Sequence, residues 1–123
     1  MSLDLPSPDL LHKILRYDPD TGRFYWKRRD VQMFRSFDND VDAFRKFNKT
    51  KSGRRALTTL SSGYLIGRLW LHPYKDRAFL AHRVAWVMMT NEPIAALDTV
   101  KHINSKRDDN RFSNLRLVRG GQS

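Results

Sequence analysis

The stretch from Thr99 to Val118 places the strongest constraint on this chain. Two short apolar runs, Thr99 to Ile103 and Leu115-Arg116-Leu117-Val118, enclose a polar segment, Asn104 to Ser113. Short apolar runs bounded by polar residues read as strands. The segment between them, at about ten residues, is longer than a hairpin loop prefers, and loops of that length in compact domains are commonly functional. This loop and its edges are basic, with Lys101, Lys106, Arg107, Arg111, Arg116 and Arg119. His102 stands at its start and Asn114 at its end. Imidazole has the ordinary pKa best suited to taking a proton near neutral pH. Cations around such a base suit a phosphate backbone, so the stretch points to gripping or cutting nucleic acid.

Composition agrees with that direction. The chain has 123 residues, enough for one compact domain, and 7 Phe, 4 Tyr and 3 Trp, enough to build a core. Its 23 Lys+Arg against 13 Asp+Glu leave a net charge of +10, which favours a polyanion: nucleic acid first, an acidic membrane surface second. The absence of cysteine excludes disulfides, thiolate zinc sites and cysteine nucleophiles, and fits a cytoplasmic location. No apolar run approaches the ~20 residues of a membrane span, and the N-terminus lacks the basic and apolar regions of a signal peptide.

Along the chain, Ser7-Pro8-Asp9 predicts a helix start, with Leu10, Leu11, Ile14 and Leu15 as its apolar stripe. Tyr17 to Gly22 reads as a turn and Phe24-Tyr25-Trp26 as a strand. Lys27 to Asp38 reads as irregular and basic. Asp38 or Asn39 would cap a short helix through Val41, Phe44 and Phe47. Asn48 to Arg55 is a basic connector, and with Lys49, Lys51, Arg54 and Arg55 it suits either a flexible surface loop or a DNA contact. Strands are expected over Ala56 to Leu60, Tyr64 to Leu71 and Ala78 to Leu80, then an apolar helix over His82 to Met89 ended by Asn91-Glu92-Pro93. Phe24, Tyr25, Trp26, Trp70 and Trp86 are expected in the core, and His12 and His72 at the surface.

The run Lys101-His102-Ile103-Asn104-Ser105-Lys106-Arg107-Asp108-Asp109-Asn110-Arg111-Phe112-Ser113-Asn114-Leu115-Arg116 resembles the motif of the HNH endonucleases, or His-Me finger nucleases, of small phage and prophage type. Ala81-His82-Arg83-Val84-Ala85-Trp86, Gly63-Tyr64 and Tyr17 to Trp26 are similar to upstream parts of that family. The resemblance implies an α+β fold: one domain over 1–123, with a support region over 1–95 and a finger motif over 96–123. The finger would be a C-terminal ββ(α) unit on short helices and an antiparallel sheet. It implies His102 as general base and Asn114 as the residue that orients it. His82 would pack or cap, and Asp109-Asn110-Arg111 would shape the loop. The family's cofactor is one divalent ion, usually Mg2+, held by an acidic residue before the histidine and by a residue on a following helix.

Two departures bear on activity. Lys101 stands where the family carries an acidic residue, and an ammonium has no oxygen to offer a metal. The helix ligand would fall near Ser123, after Gly120-Gly121, and each glycine costs a helix interior ~1 kcal/mol. The finger's last helix is therefore expected to be missing or a stub, and no metal ligand is assigned. The expected function is a DNA-binding protein of this family, acting on duplex DNA in a bacterial or phage-infected cell, with reduced hydrolytic activity. The alternative is an inactive module that binds DNA or a host protein handling nucleic acid.

Overall fold

Ser7 starts the first helix in the way its side chain allows. In the computed structural model, which describes residues 5–29, 40–70, 74 and 77–120, its hydroxyl accepts from the Leu10 amide at 3.2 Å. Pro8 opens helix α1 (Pro8–Ile14), and Asp9 sits in the first turn. Leu11 and Ile14 are buried, as expected. Leu15 is not part of the helix: its backbone turns extended at once and begins strand β1 (Leu15–Asp18). Its buried side chain continues the stripe from a different element. Strand β2 (Arg23–Trp26) pairs antiparallel with β1 across the Pro19–Gly22 turn.

Helix α2 (Asp40–Thr50) runs further than the expected short helix and takes in Lys49. Its expected caps, Asp38 and Asn39, and most of the 27–38 stretch lie outside the described residues. The expected connector is therefore helix to Thr50, then a turn over 51–54 and the start of a strand at Arg55. Thr50 donates to the Lys46 carbonyl, and the Gly53 amide donates to the Trp26 carbonyl at 2.8 Å. Strand β3 (Arg55–Ala56) then joins β2, giving the sheet order β1-β2-β3.

The expected strand Ala56 to Leu60 is broken in two. Leu57 adopts a left-handed backbone, φ 56°, and the chain leaves the first sheet for a second one, β4 (Thr59–Ser61), β5 (Tyr64–Arg68) and β6 (Ala78–Leu80). Such a conformation costs a leucine ~1–3 kcal/mol and persists only where its surroundings over-determine it. Leu57 is buried, and Gly67 makes the room: a Cβ there would lie 2.7 Å from the Leu57 Cα. β5 stops at Arg68, short of the expected Leu71, which lies outside the described residues.

Helix α3 (Ala81–Thr90) is the central support. It packs on α1, β5, β6 and strand β7 (Thr99–His102), and buries Ala81, His82, Val84, Ala85, Val87 and Met88. Asn91 ends it in the left-handed conformation, φ 57°. A 3-10 turn (Phe112–Asn114) leads into β8 (Leu115–Val118), which pairs antiparallel with β7. One apolar cluster runs from Leu11 to Leu115 and draws on every one of these elements except β4 and the 3-10 turn. The architecture is α+β, with small antiparallel sheets. Among the described residues no helix is long and apolar enough to cross a membrane.

Trp26 and Phe24 are buried as expected, and Trp86 is half-buried against Phe112, with ring centroids 5.4 Å apart. Trp70 is not in the core: 46% of it is exposed. His12 lies at the surface, where its Nε2 makes hydrogen bonds to the Met88 carbonyl and Asn91 Oδ1 and ties α1 to the end of α3. His72 lies outside the described residues.

Candidate nucleic-acid interface

The β7–β8 register sorts the motif residues onto two faces. Lys101 pairs with Arg116 and His102 with Leu115. Side chains alternate along a strand, so Val100, His102, Leu115 and Leu117 face α3, and Lys101 and Arg116 face outward, exposed. Lys101 therefore stands across the ribbon from His102, not beside it. Like charges directly opposite one another on a sheet destabilise it. No acidic side chain among the described residues forms an ion pair with Lys101, Arg116 or Lys106. The outer face of the hairpin thus carries uncompensated positive charge.

The long loop is held by its own polar side chains. Asn114, buried, accepts from the Asn104 amide at 2.9 Å through Oδ1. Through Nδ2 it donates to Asn104 Oδ1 at 2.8 Å and to the Asp109 carbonyl at 2.9 Å. Its own carbonyl accepts from the Ile103 amide at 2.7 Å. These bonds clamp the two ends of the loop, and the side-chain partners of Asn114 are Asn104 and Asp109. It acts on His102 only through the backbone register.

The imidazole itself meets Asn110. Its Nε2 lies 2.8 Å from Asn110 Oδ1. An amide oxygen only accepts, so in this arrangement Nε2 is the donor of the contact. Asn110 is itself 1% exposed, and its Nδ2 is a buried donor with no partner among the described residues. Its backbone is fixed from the other end of the chain. The Tyr17 hydroxyl donates to the Asn110 carbonyl, and the Phe112 amide donates to the Pro19 carbonyl at 3.0 Å. Burial, helped by Asp18 and Asp109, raises the Tyr17 hydroxyl well above its ordinary pKa, so it remains a donor.

His82 lies behind His102, with ring centroids 4.7 Å apart, and stacks on Tyr64 at 5.4 Å. Burial, with the nearby His102 and Arg83, pushes its pKa down to about 4. His82 is therefore a neutral packing residue, in keeping with the expected role.

The basic candidates do not stand alike. Arg111 makes a two-point bond to Asp109, at 2.8 and 2.7 Å, and Asn104 donates to the same carboxylate at 2.9 Å. Arg111 and Asn104 hold Asp109 far below the usual carboxylate range. Arg107 donates to the Ser62 carbonyl at 2.9 Å and lies 5.0 Å over the Tyr64 ring, so it docks the loop on the β4–β5 turn. Arg119 pairs loosely with Asp98, at 3.6 Å. Of the connector, Lys49, Arg54 and Arg55 are exposed, and Lys51 lies 5.1 Å from the Trp70 ring centroid. Arg55 meets the loop: a cleft of about 490 Å³ is lined by Arg23, Arg55, Lys106 and Arg111, with Asp108 and Asp109.

These residues are a poor fit to a Mg2+ ion. Lys101 offers no oxygen and faces away from His102, and the Asp109 oxygens are already committed to Arg111 and Asn104. Among the described residues no three His, Asp or Glu side chains converge on a point. Gly121 to Ser123, where the finger's helix would begin, lie outside the described residues.

Sequence reading missed Asn110 as the partner of His102, and Tyr17 and Tyr64 as supports. The Asp109-Asn110-Arg111 run was legible as a loop that bonds to itself, which holds for Asp109 and Arg111. Comparison with known proteins adds no further assignment, since no family model, curated protein or solved structure matches the chain.

Proposed function

We propose that this chain is a DNA-binding module of HNH, or His-Me finger, type. Its β7–β8 ribbon would be a ββ finger lying against duplex phosphates. The observation that carries the reading is the Lys101–Arg116 pair, two cations directly opposite and without an acidic partner among the described residues. A phosphate placed between them turns a destabilising repulsion into two charge-assisted bonds. Lys106 and Arg55 extend the same charge along the neighbouring cleft. Such contacts position a protein on DNA and carry little sequence information. Arg107 and Arg111 serve mainly to build the loop.

A second reading, weak hydrolysis of the phosphodiester bond, is favoured by one observation, the Nε2–Asn110 contact that holds the His102 ring by one nitrogen. In that reading His102 takes the proton of the attacking water, with a divalent ion such as Mg2+ as the cofactor the resemblance implies. The poor fit of the described residues to that ion makes binding the primary activity.

Two measurements test these readings. Duplex affinity should fall steeply with salt, as counterion release requires; a flat response, or no binding at low salt, would replace DNA with a protein partner. Plasmid nicking with Mg2+ or Mn2+ should be weak or absent, and any activity should vanish in His102→Ala. Activity equal in the wild type and the variant would remove His102 from any catalytic role.

A further inference from the structure

Trp70 occupies an unusual place for the largest apolar side chain type. Nearly half of it is exposed, and its backbone is left-handed, φ 54°. Two carbonyls hold that backbone in place. Arg29, 1% exposed, donates to the Leu69 carbonyl at 2.5 Å and to the Trp70 carbonyl at 2.8 Å. The guanidinium is packed in turn over the Phe47 ring at 3.8 Å. Burial lowers its pKa to about 10, so it stays charged at neutral pH. The indole is thus presented to solvent from a rigid base.

What surrounds the indole is basic. The Lys51 ammonium lies over one face of the ring, 5.1 Å from its centroid, which leaves the opposite face for a base. Trp70, Lys51, Arg55 and Arg68 line a cleft of about 490 Å³, and no acidic residue is among the described ones lining it. Arg55 and Thr58 line this cleft and also the one beside Lys106 and Arg111, so the two adjoin. An exposed indole in a cationic groove has the chemistry of a single-strand site, where a base stacks on the ring and the flanking phosphates meet the cations.

We infer that Trp70 is a stacking platform for an unpaired nucleobase. Lys51, Arg55 and Arg68 hold the neighbouring phosphates, and a single DNA strand runs through the shared Arg55 edge toward Lys106. The inference shares with the proposed function the identity of the partner as DNA. It shares Arg55 and Lys106 with that reading, rests on Trp70, Lys51 and Arg68 besides, and does not need His102.

The test uses the full chain, an oligothymidylate of about 12 nucleotides, within the ~4–16 that single-strand grooves accept, and a separate duplex. The oligonucleotide should quench the intrinsic tryptophan fluorescence. Trp70→Ala should weaken its binding by about 5- to 150-fold, the range that loss of one base–aromatic stack covers, and Trp70→Phe should restore most of it. Duplex affinity should be unchanged in Trp70→Ala and reduced in Lys101→Glu. Lys51→Glu leaves in place the Arg29 bonds that hold the Trp70 backbone and should also weaken oligonucleotide binding, which covers the case of a Trp70→Ala that fails to fold. Oligonucleotide affinity unchanged in both Trp70→Ala and Lys51→Glu would overturn the inference. So would equal loss of oligonucleotide and duplex affinity in a folded Trp70→Ala. Loss of the salt-dependent duplex response alone would remove the proposed function and leave this site standing.

Discussion

Asn110 reaches His102 with its amide oxygen, 2.8 Å from Nε2, and is itself held by Tyr17 from the first hairpin. The ring contact of a residue in the last hairpin thus depends on contacts with the first. Asn110→Ala should release the ring to both neutral tautomers, which nitrogen-15 imidazole shifts read directly. It should also cost ~1–3 kcal/mol of stability, the range for breaking a buried polar contact, measured by urea unfolding. Imidazole shifts unchanged from the wild type would show that another group sets the tautomer.

Gly22 is the point where that first hairpin meets the loop. Its φ is +78°, and a Cβ there would lie 2.5 Å from the Asn110 carbonyl carbon and 2.6 Å from the Arg111 amide nitrogen. Neither neighbour is a flexible side-chain end, so the backbone must move. Gly22→Ala should lose roughly 2 kcal/mol or more, since a residue disfavoured at positive φ meets an overlap. It should also loosen the His102–Asn110 contact, seen as faster amide exchange at 109–112. A variant as stable as the parent would mean that the turn is free of the loop.

His82 gives the fold an acid sensitivity with a defined window. Its pKa is about 4 when folded, against 6.5 for an ordinary imidazole. Above pH 6.5 it is neutral in both states and makes no pH-dependent contribution. Between 6.5 and 4 the unfolded chain binds the proton first, so stability falls as pH falls, by up to about 3 kcal/mol at ~1.4 kcal/mol per pH unit. Below 4 this contribution levels off, and Asp109, whose pKa Arg111 and Asn104 depress, continues the loss. His82→Phe should flatten the profile between pH 4 and 6.5 while leaving the acid limb. An unchanged slope in that window would place the titration elsewhere.

Lys101 and Arg116 should show opposite effects on folding and binding. Lys101→Glu places a carboxylate opposite Arg116 and should stabilise the free protein by a few tenths of a kcal/mol, up to about 1. The same change should weaken duplex binding and lower the salt slope by about one phosphate contact. Thermal unfolding and salt titrations of one preparation read both. Weaker binding with an unchanged slope would mean that Lys101 touches no phosphate.

Much of the fold could be read along the chain. Ser7-Pro8, Asn91, the β7–β8 runs and the α3 stripe act over one or two turns, and each formed where expected. The missed features are of two kinds. Short pieces such as Leu15–Asp18 and Arg55–Ala56 are strands only because partners pair with them; four residues or two carry too little pattern to be recognised alone. The others depend on residues far apart in sequence, as with Leu57 against Gly67 or Arg29 beneath Trp70.

The candidate site divides in the same way. Sequence alone determined that a histidine, an asparagine and a cluster of cations share one basic loop, because spacing and charge are properties of the chain. Tertiary structure decided which asparagine meets the imidazole, which arginines are spent on the loop and which cations face outward. Strand register and packing choose partners among chemically equivalent side chains, and both depend on contacts up to 93 residues apart, as between Tyr17 and Asn110.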